Sequence, residues 1–70
     1  MKMNLRQAAT YTYQERLVLI AIGKGADTPH IIARDTGLDK LTVGDAIANL
    51  ANRGDIKQDG FGGWVNVHQF

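Results

Sequence analysis

The chain lacks the groups most enzymes use as nucleophiles and offers contact groups instead. It contains neither serine nor cysteine, so acyl or thiol chemistry has no starting point. His30 and His68 are its only imidazoles, and neither belongs to a cluster with metal-ligand spacing. Asp35, Asp39 and Asp45 are the nearest thing to a carboxylate set. Asp39, however, reads as a helix cap, and the other two read as solvent-facing. The run Gly60-Phe61-Gly62-Gly63 is not a phosphate loop, because neither a helix nor a Lys-Ser/Thr pair follows it. No enzymatic activity, metal or cofactor is therefore expected. What remains are cations (Arg34, Lys40, Lys57), hydrogen-bonding side chains (Thr42, Asn49) and large apolar groups (Leu41, Phe61, Trp64). These residue types bind surfaces.

The elements that must hold these groups follow from caps, glycines and apolar spacing. Thr12 with Glu15 three residues on is a capping box, so a first helix starts there. Leu17, Ile20 and Ala21 continue its apolar face, Val18 and Ile22 widen it, and Gly23 and Gly25 end it. Tyr11 and Tyr13 flank the cap and are expected to pack on the domain. Asp27 or Thr28 caps a short second helix, about 29–36, with Pro29 at its first position, where the missing N–H costs nothing. Ile31 or Ile32, with Ala33, supplies the buried face. Gly37 turns the chain, Leu38 plugs the corner, and Asp39 caps a third helix over 40–53. Val43, Ile47 and Leu50 line one face of that helix, and Gly54 closes it.

A hairpin follows. Residues 55–58 and 64–68 are strand-like, and the loop Asp59-Gly60-Phe61-Gly62-Gly63 joins them. Val65 and Val67 are expected to pack with Ile56 against the helices. Trp64, Asn66 and His68 then take the other side. That leaves Trp64 outward or along the hairpin edge, unless it folds back over the third helix, as a lone tryptophan in so small a domain more often does. The expected fold is mainly α with a C-terminal β-hairpin (α+β). Residues 1–70 are read as a single domain: an N-terminal arm over 1–11, three helices over 12–54 and a hairpin over 55–70.

Composition bounds the rest. Seventy residues suit one small domain with a marginal core that no disulfide can reinforce. The 44% hydrophobic content argues against disorder. No early apolar run marks a signal peptide, and Leu17 to Ile22 is too short to span a bilayer. A cytoplasmic protein with no membrane role is expected, which the lack of cysteine fits. The formal net charge is only +1. Residues 1–24 are basic, through Lys2, Arg6, Arg16 and Lys24 against Glu15. Residues 27–45 are acidic, through Asp27, Asp35, Asp39 and Asp45 against Arg34 and Lys40.

The pattern Ile32-Ala33, Thr36-Gly37-Leu38, Thr42-Val43, Leu50, Arg53-Gly54-Asp55-Ile56 resembles the winged helix-turn-helix family of small bacterial and phage DNA-binding domains. Its specific part covers 28–56, and the first helix and the hairpin extend it to about 12–68. The resemblance implies a transcriptional regulator that binds double-stranded DNA and lays helix 40–53 in the major groove. Lys40, Leu41, Thr42, Gly44, Asp45, Ala48 and Asn49 are then the positions that reach DNA. Lys40 would take a phosphate or a guanine edge, Thr42 a phosphate or a thymine methyl, and Asn49 an adenine. The start of that helix can also receive a phosphate on its free N–H groups. Arg34 on the second helix would contact the backbone, and Lys57 is the only base of the wing. An arm carrying Lys2 and Arg6 would track phosphates.

A second class fits the same residues. Asp45 repels phosphates, Gly44 offers no side chain, and the wing is made of glycine, aromatics and acid. These features favour a protein-binding winged helix, an adaptor or a small phage-type inhibitor, that docks through Leu41, Phe61 and Trp64. Phe61 and Trp64 are also suited to stacking on unpaired bases, or Phe61 to covering the loop glycines. A homodimer is expected if DNA is the ligand, because one module neutralises few phosphates. The first helix, the arm and Phe70 are its expected surfaces.

Overall fold

A computed structural model of the chain describes residues 11–67. The elements run α1 (Tyr13–Gly23), α2 (Pro29–Thr36), α3 (Lys40–Asn52), β1 (Ile56–Gln58) and β2 (Trp64–Asn66). This is an α+β layout of three helices followed by a two-stranded antiparallel wing. The expected arm residues Lys2 and Arg6, and His68 and Phe70, lie outside the described residues.

Each boundary has a local cause. At α1 the Thr12 hydroxyl accepts from Glu15 N at 3.1 Å, and Thr12 N donates to Glu15 Oε1 at 2.8 Å. At α2 the Thr28 hydroxyl, not Asp27, accepts from Ile31 N. The helix ends where Gly37 takes φ +78°, a left-handed conformation in which a Cβ is strained. Thr36 stitches the turn: its hydroxyl donates to Ile32 O at 2.7 Å and accepts from Leu38 N at 3.2 Å. Asp39 then caps α3 by accepting from Thr42 N at 2.8 Å.

The three helices close on a common core. Val18, Ile32, Val43 and Leu50 are its largest fully buried side chains, and Leu19, Ile22, Ala46, Ile47 and Ile56 surround them. The α3 face expected from Val43, Ile47 and Leu50 is the buried one. The α1 face differs from expectation. Leu19 is buried, Leu17 is half-buried, and Ile20 is 54% exposed. Leu17 to Ile22 contains no polar residue, so spacing alone cannot set the rotation of the helix, and packing sets it instead. Tyr11 is buried, whereas Tyr13 is exposed rather than packed on the domain.

The wing faces the opposite way from the expected one. Ile56 pairs with Asn66, Lys57 with Val65, and Gln58 with Trp64. Paired residues on an antiparallel ladder share a face. Buried Ile56 therefore carries Asn66 and Trp64 inward, and Val65 goes with exposed Lys57. Trp64 packs against the core, and Asn66 Nδ2 donates to Leu19 O at 3.2 Å. The loop before α2 braces this strand: Trp64 N donates to Asp27 O at 2.8 Å. Gly63 sits so close to it that a Cβ there would lie 3.0 Å from Asp27 Oδ2.

Candidate nucleic-acid interface

The outer face of α3 is exposed and carries most of the sequence-predicted contact residues. Val43, Ala46, Ile47 and Leu50 are turned into the core. At 100° per residue, Leu41, Asp45, Ala48 and Asn52 lie opposite them. All four are exposed, Leu41 by 75%. Lys40 and Gly44 flank this line on one side. Thr42 and Asn49 flank it on the other and line a shallow groove with Thr12, Gln14, Glu15 and Asp45 between α3 and the start of α1. Thr42 is half-buried and Asn49 exposed.

The cations stand on separate elements. Arg34 on α2 pairs with Asp35 at 3.5 Å across the surface, a contact of small energetic value. Lys40 opens α3, and Lys57 stands exposed on the outward face of β1. Hydrogen bonds from Thr42 hold the Asp39 carboxyl below the usual carboxylate range. Asp39 therefore stays ionised and already occupies one N–H at the start of α3, which makes that helix end a poorer phosphate seat than the bare sequence implies. Of the apolar candidates, Phe61 is 99% exposed, so it does not cover the loop glycines. Trp64 is half-buried against the core and leaves little of its ring for a partner.

Gly44 stands out. A glycine inside a helix costs about 1 kcal/mol relative to alanine. Here no other part of the fold requires it: beyond its own helix turn and chain neighbours, no atom lies within 4 Å of where its Cβ would stand, and its φ is not positive. With Ala48 one turn on, it leaves a shallow strip of backbone beside Leu41 and Lys40.

A buried polar cluster fixes the start of α1 to the junction between α3 and the wing, and no sequence pattern announces it. Tyr11 Oη donates to Asp55 Oδ2 at 2.8 Å. Arg53 Nε lies 3.5 Å from the same oxygen, and Arg53 Nη1 lies 3.7 Å from Glu15 Oε1. The guanidinium sits 4.4 Å from the centroid of the Tyr11 ring. Asp55 also accepts from Val67 N through its carbonyl, at 2.9 Å, so the cluster sets the angle at which the wing leaves α3.

Burial, with the hydrogen bond to Asp55, pushes the Tyr11 phenol up to about 12 from its ordinary 10.0. Because the folded value is the higher one, the stability it contributes is complete below pH 10 and is lost as pH rises toward 12. Urea unfolding midpoints are expected to fall above pH 10, and to fall less steeply in Tyr11→Phe. Equal slopes in the two proteins would contradict this.

No protein-family model, curated protein or solved structure matches the chain. Among the described residues, no helix is long and apolar enough to cross a membrane.

Proposed function

We propose that this chain is a winged helix-turn-helix domain that binds duplex DNA, with α3 in the major groove and the wing beside it. The observation that carries the reading is Gly44 on the bare outer face of α3, a glycine that packing does not explain. A helix of 13 residues is about 20 Å long and fits a groove about 12 Å wide. Gly44 and Ala48 let its backbone approach the base edges closely. Lys40 and Arg34 hold phosphates, and Leu41 meets a thymine methyl. Asp45, which no phosphate favours, accepts from a cytosine amino group. Asn49 and Thr42 reach bases or phosphates from the α1 side, and Lys57 reaches the backbone from the wing. Pairing of two copies on adjacent half-sites supplies the affinity that one module lacks. Such a role is transcriptional regulation in the cytoplasm.

Titration of labelled duplex at several salt concentrations tests the reading. Three phosphate-holding cations give a slope of log K against log salt of about −3 per domain, by the relation for B-DNA. Lys40→Ala and Arg34→Ala are each expected to make it shallower by about 0.9. An absence of binding at low salt would overturn the proposal. The exposure of Leu41 and Phe61 favours a second reading, in which the same face docks on a protein. That reading predicts a partner retained at high salt and lost on Leu41→Ala or Phe61→Ala.

A further inference from the structure

We propose that Asp59-Gly60, at the tip of the wing, is a self-modification site: the Gly60 amide nitrogen closes on the Asp59 carboxyl to give a succinimide and then isoaspartate. Of the aspartates and asparagines in the chain, Asp59 alone is followed by glycine. A glycine there carries no Cβ to shield its amide nitrogen from the preceding carboxyl. The loop adds what the sequence does not show. Asp59 Oδ1 accepts from Phe61 N at 2.8 Å and from Gly63 N at 3.0 Å. Two backbone N–H groups on one carboxyl oxygen polarise Cγ, and they are in place for the charge that gathers on Oδ1 when Cγ is attacked. Asp59 and Gly60 are both exposed. Among the described residues, no hydrogen bond of the loop engages Gly60 N or Asp59 Oδ2. The attacking nitrogen and the departing oxygen are therefore both unencumbered.

The step is intramolecular and balances without a co-reactant. A bond forms between Gly60 N and Asp59 Cγ, and the bond from Cγ to Oδ2 breaks. Oδ2 leaves as water, with its own acid proton and the Gly60 amide proton. Water then adds to one of the two ring carbonyls. Addition at Cγ restores aspartate. Addition at the main-chain carbon gives isoaspartate, whose backbone runs through Cβ and Cγ and is longer by one methylene. The consequence falls on the wing, whatever the domain binds. Asp59 N donates to Gly63 O at 2.7 Å, and Gly62 N donates to Asp59 O at 3.2 Å, so the loop closes on the main chain of this one residue. Isomerisation turns that carbonyl into a free carboxylate and lengthens the turn, which loosens the closure beside Gly63 and Trp64. Asp39, by contrast, has Oδ1 held by one amide, Thr42 N, and is followed by lysine.

The test incubates the full chain under mildly acidic conditions at physiological temperature, beside a synthetic peptide of residues 55–66 as the unstructured reference. In protease digests, succinimide is read as the loss of one water. Isoaspartate is read as a separate chromatographic peak of unchanged mass whose electron-transfer fragments cleave between Cα and Cβ. The full chain is expected to form isoaspartate at residue 59 at least as fast as the peptide, and faster than at any other aspartate. Phe61→Pro removes one of the two N–H groups on Oδ1. It is expected to lower the ratio of chain to matching peptide by about tenfold, less than an enzyme's oxyanion donor contributes, because this loop is open to water. Apart from its chain neighbours, nothing lies within 4 Å of where a Gly60 Cβ would stand, and its φ is not positive. Gly60→Ala is therefore expected to keep the fold and to suppress the product in chain and peptide alike. Thermal unfolding followed through Trp64 verifies that each variant is folded. A full chain that reacts more slowly than the peptide overturns the proposal, as does a folded Phe61→Pro variant with an unchanged ratio.

Discussion

Gly44→Gln is expected to stabilise the domain and to weaken the proposed binding to duplex DNA. The two effects have separate causes, and their opposite signs make them diagnostic. Gly44 lies inside α3 with no neighbour beyond its own helix turn within 4 Å of a Cβ, so a side chain enters solvent without a clash. Helix propensity then favours the variant by about 0.5–1 kcal/mol, which in a domain of this size raises Tm by about 2–8 °C. With α3 in the groove as proposed, the same side chain would stand between the helix and the base edges. A loss of about 3 kcal/mol, or roughly a hundredfold in Kd, is expected. Gln is neutral, so the salt slope stays the same. Gly44→Ala is expected to show a rise in Tm at least as large, with a smaller loss of affinity. Thermal unfolding and fluorescence anisotropy on the same samples check both halves. A stabilised variant that binds DNA as well as the parent would strip Gly44 of its functional meaning.

Arg53→Met has the largest expected effect on the fold. The guanidinium serves Glu15 at 3.7 Å and Asp55 at 3.5 Å, and both carboxylates are almost fully buried. Removing the cation leaves their charges poorly compensated, which costs far more than losing a surface pair. Arg53 is itself 37% exposed, so solvent screening reduces the figure to about 2–4 kcal/mol. That is a large part of the stability expected for a domain this small. Substituting Glu15→Gln in the same chain is expected to recover part of the loss, because the two residues belong to one network. Urea denaturation of the four proteins in this double-mutant cycle measures the coupling. Strict additivity would mean that the network contributes nothing beyond its separate members.

The helices and their ends were legible in the sequence because their causes are local. A capping box, a proline at a first helical position and an aspartate three residues before an amide each act within one turn, and Thr12, Pro29 and Asp39 do what their types and spacing imply. The buried face of α3 was legible because polar residues interrupt its apolar ones. The face of α1 was not, because its apolar run is unbroken and only packing against Ile32 and Leu50 can choose a rotation. The wing was mis-oriented for a related reason. Val65 and Val67 look like an inward pair until the register places Asn66 opposite Ile56, and register depends on where the turn closes. The Tyr11–Asp55 bond spans 44 positions, and no spacing rule reaches that far. For the interface, the exposed cations Lys40 and Lys57 could be named from the sequence. That Trp64 packs inward follows from the rarity of an outward lone tryptophan in so small a domain, and its place on the Ile56 side of the wing, like the lack of a packing role for Gly44, required the fold.

The central claim is that the bare face of α3 lies on duplex DNA, and amide chemical shifts of the labelled protein during titration with a duplex test it most directly. The account predicts the largest shifts at Lys40, Leu41, Gly44, Asp45 and Ala48, with a second group at Gly60 to Gly62. Shifts confined to α1 or α2, or no shifts under low-salt conditions, would contradict it.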